Sequence, residues 1–218
     1  MTRIATALLF VIASGAFVAA QRGAEDDPDK LVAGGGSLPA GWHARLDQSF
    51  PRLDSLTFTA SGVGFHATTG PAAIFYRDDR PSGDYEARAT FIQLEPSAHP
   101  EAYGLFIGGS DLQSANQKYT YFLIRQDGKF LIKRRAGAQT PTLLDWSDHA
   151  AVKKGAAAGK MTNTLAIEVR ADRTRFLING AEVAAQPTAQ IDAKGIAGLR
   201  INHNLNVQVD GFAIRSLK

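Results

Sequence analysis

Residues 119–135 read YTYFLIRQDGKFLIKRR, in which two apolar runs flank the short segment Gln126–Gly128. A two-residue loop inside that segment would pair Phe122 with Lys133 and would mix charged and apolar side chains on both faces of the hairpin. A three-residue loop that ends in a left-handed glycine pairs Phe122 with Ile132 instead, and one face becomes wholly apolar. Because a slip of one residue exchanges the two faces of a strand, burial favours the second register. The stretch therefore predicts a β-hairpin that buries one face.

The other face of this hairpin carries aromatic and basic side chains, namely Tyr119, Tyr121, Arg125, Lys133 and Arg135. Tyrosine rings stack against the C–H faces of sugars, and arginine donates paired hydrogen bonds to oxygen atoms. The same residues would also suit an ordinary solvated face, in which lysine and arginine stems cover the tyrosine rings. The pattern leaves both interpretations open.

Alternating apolar segments recur along the rest of the chain at intervals of roughly ten residues, with Gly, Asp or Asn between them. Asp84–Leu94 is a long example, and Asn179-Gly180 between two apolar runs is a strong hairpin signal. The single helical candidate is Asp148–Lys160, which is rich in alanine but contains two glycines, so it suits a short helix or a loop at a sheet edge. These signals predict an all-β protein, an antiparallel sandwich or barrel.

The N-terminal residues have the pattern of a targeting signal rather than of a folded element. Arg3 precedes the apolar stretch Ile4–Phe17, and the small residues Val18–Ala20 follow it. This is the layout of a secretory signal peptide, and the run is shorter than the ~20 residues that span a bilayer. We therefore expect a signal peptide at 1–20, a disordered linker at 21–40 and one domain at 41–218. The protein is then periplasmic or secreted, with no membrane span after signal cleavage.

The composition agrees with one exported globular domain. Of the 218 residues, 44% are hydrophobic and 21% are charged, which is ordinary for a chain that buries a core. The chain contains no cysteine, so it forms no disulfide. The net charge is only +3, and the densest basic cluster, at 129–135, lies within a strand pattern. We therefore expect no nucleic acid partner.

Four stretches carry a family resemblance. NTLAIEV (163–169) followed by FLING (176–180) resembles a hairpin of concanavalin A-like sandwiches, and GIAGLR (195–200) and VQVDGFAI (207–214) resemble the strands that follow it. The order resembles the bacterial 3-keto-disaccharide hydrolase domain family, a former domain of unknown function, and is similar to laminin G-like modules. The resemblance implies an antiparallel two-sheet β-sandwich, a concanavalin A-like jelly roll whose concave face handles glycans. The E-x-D-x-x-E strand of the laminarinase-type hydrolases of this fold is missing.

Three residues are candidates for acid–base catalysis, namely Glu101, Asp111 and His203. Glycoside hydrolysis usually needs two carboxyl groups about 5–5.5 Å or about 6.5–9.5 Å apart. Glu101 and Asp111 flank one predicted strand and would be more than ~15 Å apart, which argues against a direct pair. Asn202 and His203 follow another strand, where they suit either the edge of a ligand site or a simple turn.

The function expected first is carbohydrate binding, with a glycan or glycoside on the Tyr119 face and Glu101, Asn202 and His203 at its edge. One alternative is a glycoside or 3-keto-glycoside hydrolase of the same fold, and a second is an envelope module that binds a protein. Trp146 suits sugar stacking but is more typical of a core anchor. No cofactor and no metal site are predicted, since the histidines lack helical zinc spacing, while a structural calcium ion stays open.

Overall fold

The computed structural model describes residues 29–30, 32–47, 56–61, 64–155 and 160–218. These residues form fourteen β-strands, one 3-10 turn at Thr188–Gln190 and no α-helix. Within the same ranges, no helix has the length and apolar character needed to cross a membrane. The strands are β1 (His43–Leu46), β2 (Leu56–Ser61), β3 (Gly64–Thr69), β4 (Ala73–Tyr76), β5 (Tyr85–Gln93), β6 (Ala102–Ser110), β7 (Lys118–Arg125), β8 (Lys129–Ala136), β9 (Thr142–Asp148), β10 (Met161–Val169), β11 (Arg173–Ile178), β12 (Ala181–Pro187), β13 (Ile196–Ile201) and β14 (Asn206–Ser216).

The strands form two seven-stranded sheets that pack face to face, which confirms the predicted all-β sandwich. Sheet I has the order β1-β4-β13-β6-β7-β8-β9, and sheet II has the order β12-β11-β10-β5-β14-β3-β2. All strand pairs are antiparallel. The last two strands lie inside the sheets, β13 between β4 and β6 and β14 between β3 and β5. The C-terminal residues therefore complete the centre of both layers.

The hydrophobic core lies between the sheets, and strand alternation places residues in it. In β5, every second residue from Tyr85 to Phe91 is buried, while Arg88 on the opposite face is exposed. This is the alternation that the sequence predicts for Asp84–Leu94. The strands β10 and β11 continue it with Leu165, Ile167 and further buried apolar residues.

The register predicted for the 119–135 hairpin is confirmed. β7 and β8 pair Phe122 with Ile132, and both side chains belong to the core. Gly128 closes the three-residue loop in the left-handed region, with φ 95°, and its N–H donates to the Arg125 carbonyl oxygen at 3.1 Å. Asn179 and Gly180 likewise have positive φ values of 51° and 85° and form the two-residue turn between β11 and β12.

Of the two structures expected for Asp148–Lys160, a short helix or a loop, the described residues form the loop. Asp148 ends strand β9, and residues 149–155 form turns and irregular backbone, while 156–159 lie outside the described residues. Glycine disfavours a helix interior, and Gly155 falls within this stretch. Side-chain hydrogen bonds described below hold the segment instead.

Residues predicted as linker contact the sandwich where they are described. The Ala33 carbonyl oxygen accepts a hydrogen bond from the Thr57 hydroxyl, and Gly35 forms an isolated parallel bridge with Thr57. Further upstream, the Lys30 N–H donates to Asn204 Oδ1 at 2.7 Å. These contacts join Lys30, Ala33 and Gly35 to the sandwich. The predicted signal peptide at 1–20 and linker residues 21–28 and 31 lie outside the described residues.

One buried amide, that of Asn163, fixes the segment that follows β9. Asn163 Oδ1 accepts from the Lys153 N–H at 2.9 Å, and its Nδ2 donates to the Lys153 carbonyl oxygen at 3.0 Å. The Asn179 amide donates to the same Oδ1 at 2.7 Å and to the Ala151 carbonyl oxygen at 2.8 Å. The side chain at the start of the NTLAIEV stretch thus joins β10, the β11–β12 turn and the loop after β9.

We expect Asn163→Ala to lower the free energy of unfolding by about 1–3 kcal/mol, because it removes the hydrogen bonds of a fully buried amide to the Lys153 backbone and to Asn179. Urea unfolding followed by tryptophan fluorescence measures this change. Asn116→Ala is the matched control, since Asn116 is exposed and such substitutions change stability by about 0.5 kcal/mol or less. Equal unfolding midpoints for the two variants would contradict the role given to Asn163.

Candidate ligand-binding face

The outer face of sheet I differs from that of sheet II. Outer faces of sandwiches normally meet water and carry polar side chains. Sheet II follows this rule, since Arg175 pairs there with Glu168 and Glu182, each at 2.6 Å. Sheet I instead carries a second cluster of buried residues outside the core, with Trp146 packed against it: Ile74, Tyr76, Ala102, Phe106, Leu112, Tyr119, Tyr121, Leu123, Leu131 and Ile196.

The floor of this outer face is a row of three aromatic rings. The Phe106 ring lies 4.9 Å from that of Tyr119, which lies 5.7 Å from that of Tyr121. Gly198 on the neighbouring strand makes room for the row, because a Cβ atom there would lie 2.5 Å from the Phe106 ring. Gly198, the second glycine of the GIAGLR stretch, is therefore part of strand β13 and also leaves space for an aromatic ring on the outer face.

Arg200 on β13 occupies the centre of the face. Its two terminal nitrogen atoms, Nη1 and Nη2, donate to the two carboxylate oxygens of Asp47 at 2.8 and 2.5 Å. Nη1 also donates to the Tyr119 hydroxyl at 2.9 Å, and Nε donates to Asn202 Oδ1 at 3.1 Å. The guanidinium carbon lies 5.2 Å from the centre of the Tyr121 ring. Arg200 is only 8% exposed, so these contacts replace most of its hydration.

Asp47 brings a single negative charge to this face. It follows β1 at the edge of sheet I, and its carboxylate also lies 3.9 Å from Nη1 of Arg135 on β8. Burial acts to raise the pKa of Asp47, but the Arg200 guanidinium, with Arg135 and Arg45, outweighs burial and lowers that pKa below its ordinary value. The carboxylate is therefore ionised and is shared by arginines from different strands.

The arginines of this cluster have more donors than the described residues can satisfy. Arg45, on edge strand β1, is 8% exposed, and its Nη1 finds no acceptor among the described residues. Arg135 Nε is also buried without an acceptor in that part of the chain. Among the described residues, Arg200 and Arg135 thus lie 2.5 and 3.9 Å from the Asp47 carboxylate, and the charge of Arg45 also contributes to lowering its pKa. We call these four residues the arginine cluster.

Tyr119 and Tyr121 were predicted to stack on a sugar. Both point away from the core, but they are themselves buried. Tyr119 is 0% exposed and Tyr121 is 6% exposed, and burial raises the pKa of both phenols. Tyr119 therefore supports Arg200 through its hydroxyl oxygen rather than offering a ring surface. Stacking by both tyrosines, as the hairpin pattern suggests, does not match this arrangement.

The more open part of the face lies beside the arginine cluster, at Arg125 and Trp146. The Arg125 guanidinium carbon lies 4.2 Å from the centre of the Trp146 ring. Arg125 also donates from Nε and Nη2 to the two carboxylate oxygens of Asp127 at 2.9 and 2.7 Å. Lys133, opposite Tyr121 in the β7–β8 register, is half-buried. Trp146 belongs to the outer face and not to the core, contrary to the interpretation favoured from sequence.

Glu101, Asn202 and His203 meet at one edge of the face, as the sequence hypothesis grouped them. His203 Nε2 lies 2.8 Å from Glu101 Oε1, and the Asn202 amide contacts Glu101 Oε2 at 3.4 Å. On the far side of the ring, His203 Nδ1 lies 3.2 Å from Asp29 Oδ1. The positive φ of Asn204, 58°, marks the turn that the alternative interpretation expected. Through Asn202, this edge is joined to Arg200.

Asp111 does not join this group. It is exposed, has a positive φ of 53°, and follows the end of β6 opposite to Glu101. The nine-residue strand between them spans ~30 Å, so the two carboxyl groups do not form a pair. Among the described residues, no group of three or more His, Asp or Glu side chains is placed to hold a metal ion.

Sequence reasoning missed the centre of this site, namely Arg45, Asp47 and Arg200. A signal for Arg200 exists in the sequence, because it stands between Leu199 and Ile201 in an apolar run that reads as a buried strand. A lone charged residue in such a strand needs a partner. No local spacing identifies that partner, since Asp47 lies 153 positions away.

No protein-family model matches this sequence, and no curated protein matches it. Solved structures are similar in fold. The carbohydrate-binding module CBM66 from Bacillus subtilis superimposes with a TM-score of 0.60 at 10% identity, over 81% of this chain and 96% of that one. A Bacillus subtilis protein of unknown function with a galectin-like fold gives 0.55 at 11% identity, over 80% and 89%.

The carbohydrate recognition domain of Emp46p, in its potassium-bound form, gives a TM-score of 0.54 at 9% identity, over 82% of this chain and 90% of that one. At these identities the likeness establishes the fold and nothing finer. The chain is therefore a β-sandwich similar in architecture to lectin-like and galectin-like domains, which agrees with the expected concanavalin A-like fold.

Proposed function

We propose that this protein is a carbohydrate-binding domain that recognises a glycan on the outer face of sheet I. The observation that carries the proposal is the difference between the two outer faces. Sheet II presents solvated ion pairs, whereas sheet I presents aromatic rings and guanidinium groups with unused donors. Likeness to a carbohydrate-binding module and to a carbohydrate recognition domain supports the same proposal.

The chemistry of the face suits a sugar ring. Trp146 offers a half-exposed indole, on which the C–H face of a sugar stacks. Arg125 lies against that ring, and Lys133 and Arg135 lie on β8 opposite Tyr121 and Tyr119, so the face offers further donors to hydroxyl oxygens. Ion pairs and ring contacts already fix Arg125 before a ligand arrives, which lowers the entropic cost of binding.

Export is part of this proposal. The signal-peptide layout of residues 1–20 directs the domain to the periplasm or the outside of the cell, where glycans of the envelope and of the surroundings are available. A domain without cysteine needs no oxidising compartment for its stability, so its core of two packed sheets serves in either location.

We expect the purified protein to bind members of a glycan array, and Trp146→Ala and Arg125→Ala each to weaken binding of the best ligand by about tenfold. Loss of a stacked ring and of paired donors each removes about 1 kcal/mol or more. Isothermal titration calorimetry measures the change. Arg88→Ala is the matched control, because Arg88 is exposed on the outer face of sheet II.

Glycan binding that neither Trp146→Ala nor Arg125→Ala weakens would place the site elsewhere. If the array shows no binding and an envelope protein instead binds this face, the second alternative from the sequence, an envelope module that binds a protein, replaces the proposal. Circular dichroism of each variant confirms that the sandwich has folded before binding is compared.

A second candidate function, hydrolysis of a glycoside or 3-keto-glycoside, is favoured by the contact between Glu101 and His203 at 2.8 Å. The resemblance to the 3-keto-disaccharide hydrolase family points the same way. In this function Glu101 supplies the acid at the edge of the face, and His203 and Asn202 hold its two oxygens. Asp111 has no place in it, since it lies at the far end of β6.

For this second function we expect release of sugar from the glycan that binds best, and loss of release in Glu101→Gln while binding persists. Amide and carboxyl groups have the same shape, but the amide donates no proton to a leaving group. Chromatography of the products measures release, and Glu182→Gln on sheet II is the control. Turnover that Glu101→Gln does not change would remove Glu101 from the mechanism.

A further inference from the structure

The arginines of the outer face bind the Asp47 carboxylate in the way that they would bind the carboxylate of a ligand. It lies over sheet I between side chains of β13 and β8, although it belongs to the chain that leaves β1 at the edge of the sheet. Both of its oxygens face the two terminal nitrogen atoms of Arg200. This paired geometry is how arginine recognises a free carboxylate and, with similar spacing, other oxyanions.

We infer that the face takes an acidic glycan, whose anionic group replaces the Asp47 carboxylate between Arg200 and Arg135. The inference rests on the proposed carbohydrate-binding function and names the chemical class of its ligand. A uronate carboxylate and a sulfate ester share the required chemistry, since both present oxyanions on a sugar ring. Asp47 is then an internal competitor that a stronger anionic ligand displaces.

The unused donors of the arginine cluster support this assignment. Arg45 Nη1 and Arg135 Nε are buried and lack acceptors among the described residues. A buried donor without a partner is unfavourable, so a ligand that supplies an acceptor gains the corresponding free energy. Asp47 brings one carboxylate, whereas an acidic sugar brings an anionic group together with ring and hydroxyl oxygens. Such a ligand satisfies groups that Asp47 leaves unpaired.

The excess of charge favours the same ligand. Among the described residues, the Arg200 and Arg135 guanidinium groups lie 2.5 and 3.9 Å from the one carboxylate of Asp47, and buried Arg45 adds a third positive charge to the cluster. Replacing that charge by an anion on the ligand keeps Arg200 paired, whereas a neutral sugar that displaced Asp47 would leave a buried cation without a counter-charge. The face therefore selects against neutral sugars at this position.

Arg200 stays in place when Asp47 leaves, because other groups hold it. The Tyr119 hydroxyl and the Asn202 side-chain oxygen accept two of its hydrogen bonds, and the Tyr121 ring lies against the guanidinium. The position of Asp47 can also be reached from solvent, since its side chain is 20% exposed while that of Arg200 beneath it is 10% exposed. An incoming anion thus meets an ordered guanidinium.

The test compares acidic oligosaccharides with neutral counterparts of the same linkage, using the wild-type chain and three variants. The probes are oligogalacturonates beside their methyl esters, and sulfated galactan oligosaccharides beside their desulfated forms. We expect the wild type to bind at least one acidic form about tenfold or more tightly than its neutral form. The uronate and sulfate arms show which oxyanion the face takes. Calorimetry at two salt concentrations provides the affinities.

We expect Asp47→Asn to tighten binding of that acidic probe by about tenfold, because the competing carboxylate is gone, and to leave the neutral probe unchanged. The same variant lowers the melting temperature of the free protein, and the acidic probe raises it more than in the wild type. Arg135→Gln abolishes the preference for the acidic form. Arg88→Gln on sheet II removes the same charge and leaves the preference intact.

Equal affinity for acidic and neutral forms overturns the inference but leaves carbohydrate binding standing. Weaker or unchanged acidic binding in a folded Asp47→Asn protein also overturns it, since Asp47 is then a structural partner only. If Asp47→Asn does not fold, Arg135→Gln decides alone, and a retained preference in that variant overturns the inference. Absence of binding to every saccharide, in either form, overturns the proposed function together with this inference.

Discussion

The buried guanidinium group of Arg200 is the constraint on which the outer face of sheet I depends. A charge withdrawn from water must meet opposite charge and hydrogen-bond acceptors, or folding is strongly opposed. Arg200 meets Asp47 from the edge of the sheet, Tyr119 from β7 and Asn202 from the β13–β14 turn. These three parts of the chain are therefore positioned relative to one side chain. Because Asn202 also contacts Glu101, the same network continues from the centre of the face to its edge.

Strand register connects this face to the hydrophobic core. The β7–β8 pairing that buries Phe122 against Ile132 also sets Tyr119 opposite Arg135 and Tyr121 opposite Lys133. A slip of one residue would lose the core and the outer face together. In β6 and β13 nearly every residue is buried, since alternate side chains serve the core and the outer cluster. Core packing and the candidate site are thus specified by the same strands.

Short stretches of sequence were sufficient to predict the core positions and the hairpin turns, because these depend on neighbouring residues in the chain. Alternation placed Tyr85 and Phe91 in the core, and turn chemistry at Gly128 and Asn179 gave the hairpins. The arginine cluster required the order of strands in the sheet, because Asp47 and Arg200 are neighbours only after β1, β4 and β13 have paired.

The strand order, which short stretches of sequence do not reveal, also explains why the burial of Tyr119 and Tyr121 was not predicted. The hairpin pattern correctly directs Tyr119 and Tyr121 away from the core. Their burial follows from contacts with Arg200, on a strand 81 positions from Tyr119. Glu101 and His203 were grouped correctly, since each stands next to a strand end and those strands, β6 and β13, pair side by side.

The arginine cluster is not an arrangement that stability alone would favour. Sheet II shows what a solvated outer face needs, because Arg175 is shared there between two carboxylates at the surface. Among the described residues, the arginine cluster of sheet I has the opposite ratio, three guanidinium groups to one carboxylate, and Arg45 and Arg200 are each only 8% exposed. Buried ion pairs of this kind are often no more stable than apolar side chains of similar volume. Surplus donors and charge of this kind gain partners when an additional anion binds, which is the role that the inferred acidic glycan would have.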